Sequence, residues 1–444
     1  MKTPRPRLGA RISSFVWRAL SRYGKFKYEH LLPIYRIFGL LPKMPAAGGA
    51  AKPRPALRFA QAVARRFDGA NAQSDSPALS TIIQRAKTSK GAIIFLPSVG
   101  WETVNTQRGH HLAREFARQG YVSIFDCSAA FTDVSGFREI ADNLFLYRGD
   151  AGRLGDIPDA TLWTITYNFD QVRHFPSPSR TVYDWIDDLS VFPYDRDFLE
   201  ANHRQALAEA TLVVSVARRL HEQALAARSD ALYLPNGVDY EHFAAAAPLP
   251  LADPKVAALL KARKPIAGYY GALAEWFDYE LLDRVAERRS DWNFLLIGPM
   301  LDASARRRGH SLFKRANVYW IGARPYEQLP EYLRLFDVAL IPFVVNDITQ
   351  ATSPLKLYEY MAAGKPIITT PMPECESFSV VNITRDAEAM AQALDHGKAQ
   401  GANEDFRAQC RALAHEHSWK RRVQTVVEAL DQKNHCAATP TDSR

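Results

Sequence analysis

The sequence predicts an α/β chain: two doubly wound, Rossmann-like domains in tandem behind a basic arm. Three observations point there. Short apolar runs alternate with helical patterns along residues 91–432, the order expected when helices carry the chain from one parallel strand to the next. The series is interrupted once, at residues 245–251 (AAAPLPL), whose composition is that of an interdomain linker. The chain has 444 residues, 47% hydrophobic and 23% charged, an ordinary globular composition at a length suited to two or three domains of roughly 150 residues.

Taken in order, the first series has predicted strands at 92–97, 121–125, 144–147, 162–166, 181–185, 212–215 and 231–234, with a helix at 107–118 stopped by Gly120. The second has strands at 266–270, 292–297, 318–321, 338–342 and 367–370. These boundaries give an arm at 1–90, a first domain at 91–250, a second at 251–417 and a last helix at 418–432 that returns to the first domain. Two such sheets face a cleft, and ligands bind beyond the carboxyl ends of their strands.

Charge is divided unevenly. Residues 1–90 hold 18 Lys/Arg and 3 Asp/Glu, a net of +15, so the remaining residues carry −7 of the total +8. A mildly acidic body is not that of a nucleic-acid-binding protein. Within the arm, Ile12, Phe15, Val16, Ala19, Leu20 and Tyr23 fall within about 140° of a helical projection, with Arg11, Arg18, Arg22 and Lys25 on another flank. Such a helix can lie in an anionic bilayer interface, pack on the body, or belong to a transit peptide. Residues 45–56 and 68–79 have linker composition. The longest apolar run near the arm, 31–41, has 11 residues and includes Arg36, too short to span a membrane. Four cysteines with no C-x-x-C spacing give neither a disulfide framework nor a cysteine zinc site.

The most informative segment is 350–366, QATSPLKLYEYMAAGKP. Ser353 is placed as a helix N-cap, Pro354 as the first helical residue and Gly364 as the stop. A helix of about ten residues opening after a strand presents free N–H groups suited to phosphate. Lys356 adds a charge in the first turn, and Glu359, three residues on, shares its face. A carboxylate there can accept hydrogen bonds from ribose hydroxyls; the plainer alternative is a surface ion pair between the two.

These residues resemble the donor motif of the family 4 glycosyltransferases of GT-B fold. Segments 234–243 (LPNGVDYEHF), 268–273 (GYYGAL), 295–299 (LLIGP) and 317–325 follow in that family's order, and the similarity is nearest to the bacterial envelope-polysaccharide branch, including teichuronic-acid-type enzymes. The resemblance covers 91–432, most strongly 231–372. It implies an acceptor-side domain followed by a nucleotide-sugar domain, and transfer of a hexosyl group with retention of configuration and without a bound metal or other cofactor. It further implies that Glu359 binds ribose, that the Ser353, Pro354 and Leu355 backbone cradles the diphosphate, that Gly271 allows the phosphates to approach, and that Gly298, Pro299 and Arg324 through Tyr326 line the base pocket. Three positions depart from the family. Ala351 stands where it usually has a Glu, and Ala272 and Phe277 where it has diphosphate cations; Lys356 is the replacement cation.

In the first domain, Asp184, Asp187 and Asp188 cluster at the end of a strand. The family's His-Asp pair lies near here, which implies that Asp187 and Asp188 face the donor sugar or acceptor; a helix cap plus a solvated carboxylate is the alternative. His110 and His111 open the first helix and can meet the acceptor or sit at the surface. Trp276, Phe277 and Asp278 are candidate sugar contacts, while His415 and His417 lack further metal ligands and read as surface residues. The expected partners are a nucleotide-sugar, a glycan or lipid-linked acceptor and an anionic membrane surface, with the protein on the cytoplasmic face. Two rivals share the scaffold: a nucleotide-sugar epimerase, and a non-catalytic subunit that recruits partners to the membrane.

Overall fold

The computed structural model describes residues 76–438, apart from 104–105, 131, 176–179, 246–247, 250–252 and 302. The arm's amphipathic pattern at 11–25 and the linker at 45–56 lie outside the described residues.

The first half contains an eight-stranded sheet. Its strands are β1 (Ala92–Phe95), β2 (Val122–Asp126), β3 (Gly136–Ala141), β4 (Leu144–Arg148), β5 (Thr161–Thr164), β6 (Arg180–Trp185), β7 (Leu212–Ser215) and β8 (Leu232–Tyr233), in the order β3-β4-β2-β1-β5-β6-β7-β8. All pairings are parallel except β3 with β4. The second half contains six parallel strands: β9 (Ile266–Tyr270), β10 (Asn293–Ile297), β11 (Val318–Trp320), β12 (Val338–Ile341), β13 (Ile367–Thr369) and β14 (Val381–Ile383), in the order β11-β10-β9-β12-β13-β14. The order reverses beside β1 and again beside β9, so each half has a switch point at which a crevice opens. The central strands are buried along their whole length, which is why they read as unbroken apolar runs.

Two boundaries differ from those expected. Residues 76–79 are not linker: they open the helix Ser76–Thr88, whose Leu79, Ile82 and Ala86 pack beneath β1 and β2. The first half therefore begins by residue 76. The second half begins before 251, because Val238 and Phe243 already belong to its core. The helix Trp419–Ala438 lays Trp419, Val423, Val426 and Leu430 against Leu112 and Phe116 of the first half.

A polar chain joins the halves. Arg108 opens the helix Arg108–Arg118; its Nε donates to Asp184 Oδ2 at 2.8 Å, and its Nη1 donates to Asn236 Oδ1 at 3.2 Å. Trp163 Nε1 donates to the same Asp184 oxygen at 3.0 Å. Asn236 in turn donates to the Ser353 carbonyl at 2.6 Å and, through its backbone N–H, to Ser353 Oγ at 3.2 Å. Both members of the ion pair are almost wholly buried, at 7% and 2% side-chain exposure. Breaking such a pair from one side leaves an uncompensated charge. Arg108→Leu is expected to cost about 3–5 kcal/mol in urea unfolding, and Arg108→Leu combined with Asp184→Leu should recover much of that loss.

Candidate functional site

The site is built where β9 and β10 end. Gly271 follows β9 with φ +137° and Gly298 follows β10 with φ +142°. A Cβ on Gly298 would stand 1.8 Å from the Gly271 carbonyl oxygen, and one on Gly271 would stand 3.0 Å from Lys356 Cε. Backbone conformation disfavours a side chain at both positions, and at Gly298 contact with the Gly271 backbone excludes one. The two strand ends meet backbone to backbone, with Lys356 against them.

Lys356 comes from the helix Leu355–Ala362, eight residues long. Its start differs from expectation: Pro354 occupies the N-cap with φ −70° and ψ 120°, and Ser353 lies outside the helix. The Ser353 hydroxyl is engaged by Asn236 and by Tyr358 OH at 3.2 Å, so contact between the halves has displaced the capping role. Glu359 is buried and accepts a hydrogen bond from Tyr270 OH at 2.8 Å. Burial raises the Glu359 pKa, against the opposing pull of the Tyr270 bond and of Lys356. Burial likewise lowers that of Lys356, against the pull of Glu359. The ammonium lies 4.8 Å from the Phe343 ring centroid and 5.4 Å from that of Tyr269, a cation–π seat.

Gly271, Gly298, Pro299, Arg324, Tyr326, Leu355, Lys356 and Glu359 line one cavity of about 240 Å³, together with Trp276, Tyr270, Ala272 and, from the first half, Thr106 and Gln107. Ser353 and Pro354 are not in its wall. Arg324 is held by an ion pair with Asp253 and a 2.8 Å bond to Tyr332 OH. Tyr326 stacks on His242 and presents a buried hydroxyl with no partner among the described residues.

The first-half candidates fall elsewhere. The Gln107 backbone N–H donates to His110 Nδ1 at 3.1 Å, and Nε2 lies 3.0 Å from the Gly100 carbonyl. The ring is stacked on Phe125, and burial pushes its pKa down to about 4. With both nitrogens engaged, His110 fixes the loop before its helix and has no nitrogen left for an acceptor. His111 is buried between Trp419 and Tyr326. Asp188 caps a 3-10 turn by accepting from the Ser190 N–H at 2.9 Å and hydroxyl at 2.6 Å. Asp187 has its carboxyl pushed up to about 7 by burial, with Asp188 and Asp184 nearby. Neither aspartate lines the cavity. Of the three residues after the Gly271 turn, only Trp276 reaches it: Phe277 is core, and Asp278 caps the helix Tyr279–Arg288. His415 is exposed, whereas His417 is half-buried against Tyr358 and Phe378. Among the described residues no group of three or more His, Cys, Asp or Glu is arranged to hold a metal, and no helix is long and apolar enough to cross a membrane.

Residues 265–396 match the family model described as Glycosyl transferases group 1. That stretch runs from β9 to the helix Ala387–Ala402, and so contains every second-half wall of the cavity. Solved structures with the same two-sheet arrangement include a sucrose-phosphate synthase from Thermosynechococcus elongatus, at TM-score 0.58 and 17% identity over 78% of this chain and 100% of that one. Another is Anabaena HepE in complex with UDP and glucose, at TM-score 0.56 and 16% identity over 76% and 99%. The fold is GT-B. A Bacillus subtilis (strain 168) protein named as a teichuronic acid biosynthesis glycosyltransferase, TuaH, is 24% identical over 300 residues, 63% of this chain and 71% of its own.

Contributors missed from sequence include the cavity walls Thr106 and Gln107, as well as Tyr270 and Asn236. Tyr270 ends an apolar strand, where a tyrosine reads as core, and nothing in the run marks its hydroxyl for Glu359. Asn236 lies in the quoted segment 234–243 but acts through Ser353, 117 residues on, a contact that only the folded chain reveals.

Proposed function

We propose that this GT-B glycosyltransferase moves a hexosyl group from a nucleoside diphosphate donor to an envelope polysaccharide or lipid-linked saccharide, with retention of configuration. The observation that carries the proposal is the shared cavity: Lys356 and Glu359, both drawn out of water, stand one turn apart against the Gly271–Gly298 contact. One is suited to a diphosphate and the other to vicinal hydroxyls. The names of the similar proteins agree, in that HepE was solved with UDP and glucose and TuaH is named for an envelope polymer.

In this mechanism Glu359 accepts the ribose hydroxyls, Pro299, Arg324 and Tyr326 enclose the base, and the start of the helix Leu355–Ala362 with Lys356 faces the diphosphate. Charge grows on the diphosphate as the glycosidic bond breaks, so a fixed cation in a dry site stabilises the transition state more than the ground state. The departing phosphate oxygen takes the acceptor hydroxyl's proton as the acceptor attacks from the same face of the sugar. No step uses a divalent ion.

Glu359→Ala removes charge-assisted hydrogen bonds worth about 1.5–3 kcal/mol. Calorimetric titration with UDP should show affinity falling by about tenfold or more. In the unsubstituted protein the affinity should weaken as pH drops toward neutrality and below, because burial raises the pH at which Glu359 takes up a proton. Unchanged UDP affinity in Glu359→Ala would remove the ribose role.

Lys356→Ala should lower kcat by roughly 10²-fold or more while uridine, which has no phosphate, binds as before. Turnover measured in the same assay should be indifferent to EDTA. Equal losses for uridine and UDP would remove the diphosphate role.

The arm completes the proposal: its +15 charge over residues 1–90 holds the enzyme on the cytoplasmic leaflet, where a lipid-linked acceptor diffuses in two dimensions. Full-length protein should sediment with anionic vesicles at low salt and be released at 1 M, where the Debye length is about 3 Å. A chain beginning at residue 76, which retains the helix Ser76–Thr88, should keep UDP affinity and lose sedimentation. Absence of sedimentation at low salt would end the tether idea.

A further inference from the structure

The second half holds another cavity that the mechanism above does not use. It measures about 180 Å³, and the charged residues in its wall are Arg334, Lys365 and Arg411. No carboxylate lines it; the remaining walls are alanine, proline and Phe243. The three cations are not a charge run along one face. Arg334 directly follows the helix Leu329–Leu333, Lys365 lies beyond the end of the helix Leu355–Ala362, and Arg411 stands in the helix Glu404–Glu416. Folding brings them to one concave surface, and a concave wall of one sign focuses its field and concentrates counter-ions.

The plainer reading, that these cations cap the end of the helix Leu355–Ala362, does not fit. The carbonyls of Glu359, Tyr360 and Met361 are already taken by the backbone N–H groups of Ala363, Lys365 and Gly364, at 3.2, 3.0 and 2.9 Å. Lys365 Nζ instead donates to the carbonyls of Phe336 at 2.7 Å and Arg334 at 3.3 Å, which engages two of the three N–H groups of an ammonium. Arg411 Nη2 is paired with Glu404, a carboxylate outside the wall that also serves Arg407. Arg411 Nη1 has no hydrogen bond among the described residues and lies against Gly364, where a Cβ would stand 3.1 Å from it. Burial lowers the Lys365 pKa to about 8; Asp337 opposes the drop, and the charges of Arg334 and Arg407 add to it.

We propose that this cavity is a site for a phosphoryl anion, either inorganic phosphate or the phosphate of a small monoester, held by Arg334, Lys365 and Arg411. Guanidinium forks match phosphate oxygens in pairs, and an ammonium adds a point charge. The site is separate from the cavity of Lys356 and Glu359 but shares two parts with it. Ala362 and Ala363 end the helix that carries both of those residues. Phe243 stacks on Tyr270 at 6.4 Å and meets Tyr326 edge-on at 5.6 Å, and both tyrosines line the other cavity. A bound anion thus ties the end of that helix to its two neighbours.

The test follows the line width of inorganic phosphate by phosphorus NMR with full-length protein, at constant ionic strength in chloride and with UDP in excess to fill the other cavity. Phosphate should bind saturably in the millimolar range. Arg334→Gln, at an exposed position, should weaken it by about fivefold or more, and Arg411→Gln should do the same. Arg204→Gln, which removes an exposed arginine of the first half, should leave it unchanged. Melting temperature and calorimetric UDP affinity, measured on each variant, show that the fold is intact. Displacement of phosphate by glycerol 3-phosphate identifies a monoester site, and saturable phosphate binding without such displacement identifies a site for the free anion. Absence of saturable binding overturns the proposal, as does equal binding in the parent and in Arg334→Gln. Binding seen only without UDP, and lost in Lys356→Ala, also overturns it, since the anion would then occupy the cavity of Lys356. If UDP itself fails to bind, the transfer reaction proposed above is what fails; phosphate binding that persists in Lys356→Ala and falls in Arg411→Gln still supports this site.

Discussion

The cleft depends on holding two opposite charges, Lys356 and Glu359, one helical turn apart and away from water. Desolvation disfavours each charge, as their opposed pKa shifts record, and the surroundings must offset it. Tyr270 does so for the carboxylate with a hydrogen bond, and Phe343 and Tyr269 do so for the ammonium with their ring faces. These supports stand on β9, or directly beyond β12, in the middle of the second sheet. The rigidity of that parallel core is what makes a buried pair tolerable: the groups that compensate the charges cannot drift from them.

The same helix is placed from the other side by the first half. Asn236 grips Ser353 immediately before the helix, and Arg108 and Asp184 fix Asn236 from behind. A second contact runs in parallel: Glu374, buried in the second half, accepts from the Arg218 backbone N–H at 2.7 Å and from Tyr233 OH, closing the start of a first-half helix whose own N-cap, Ala217, has no side-chain acceptor. Ala351 packs in the cluster with Trp185 and Val216. A glutamate at 351 would have to enter that apolar contact, so its absence fits the way the halves close here. The halves are joined by directional polar contacts, and that ties the orientation of the helix Leu355–Ala362 to the sequence of the first half.

Much of this was legible in the chain. The central strands announced themselves as apolar runs because both faces of a parallel sheet are covered, and the cavity walls Gly271, Gly298, Pro299, Arg324, Tyr326, Leu355, Lys356 and Glu359 came together as the motif order implies. What escaped was either at an edge or held by tertiary contact. β3, of sequence GFREIA, is largely solvent-facing and antiparallel, and β14 has only three half-buried residues, so neither has a periodicity to read. Ser353 obeyed the rule for a cap in sequence and broke it in structure, because Asn236 competes for the same hydroxyl. His110 was expected to meet the acceptor or sit at the surface, but it is buried and its two ring nitrogens are committed to Gln107 and Gly100.

The departures from the family motif are coherent once the packing is seen. Phe277, which stands in place of a cation, is 1% exposed and meets the Tyr269 ring at 4.9 Å; it also bridges backbone to backbone with Phe343. Tyr269 and Phe343 are the two rings on which the Lys356 ammonium rests. The residue that removes one positive charge therefore supports the seat of another. A cation at 277 would also have to be buried in the core of the second half, where desolvation would cost it most. Lys356, in the first turn of a helix and against aromatic faces, is a cation whose position in the cavity is fixed by packing.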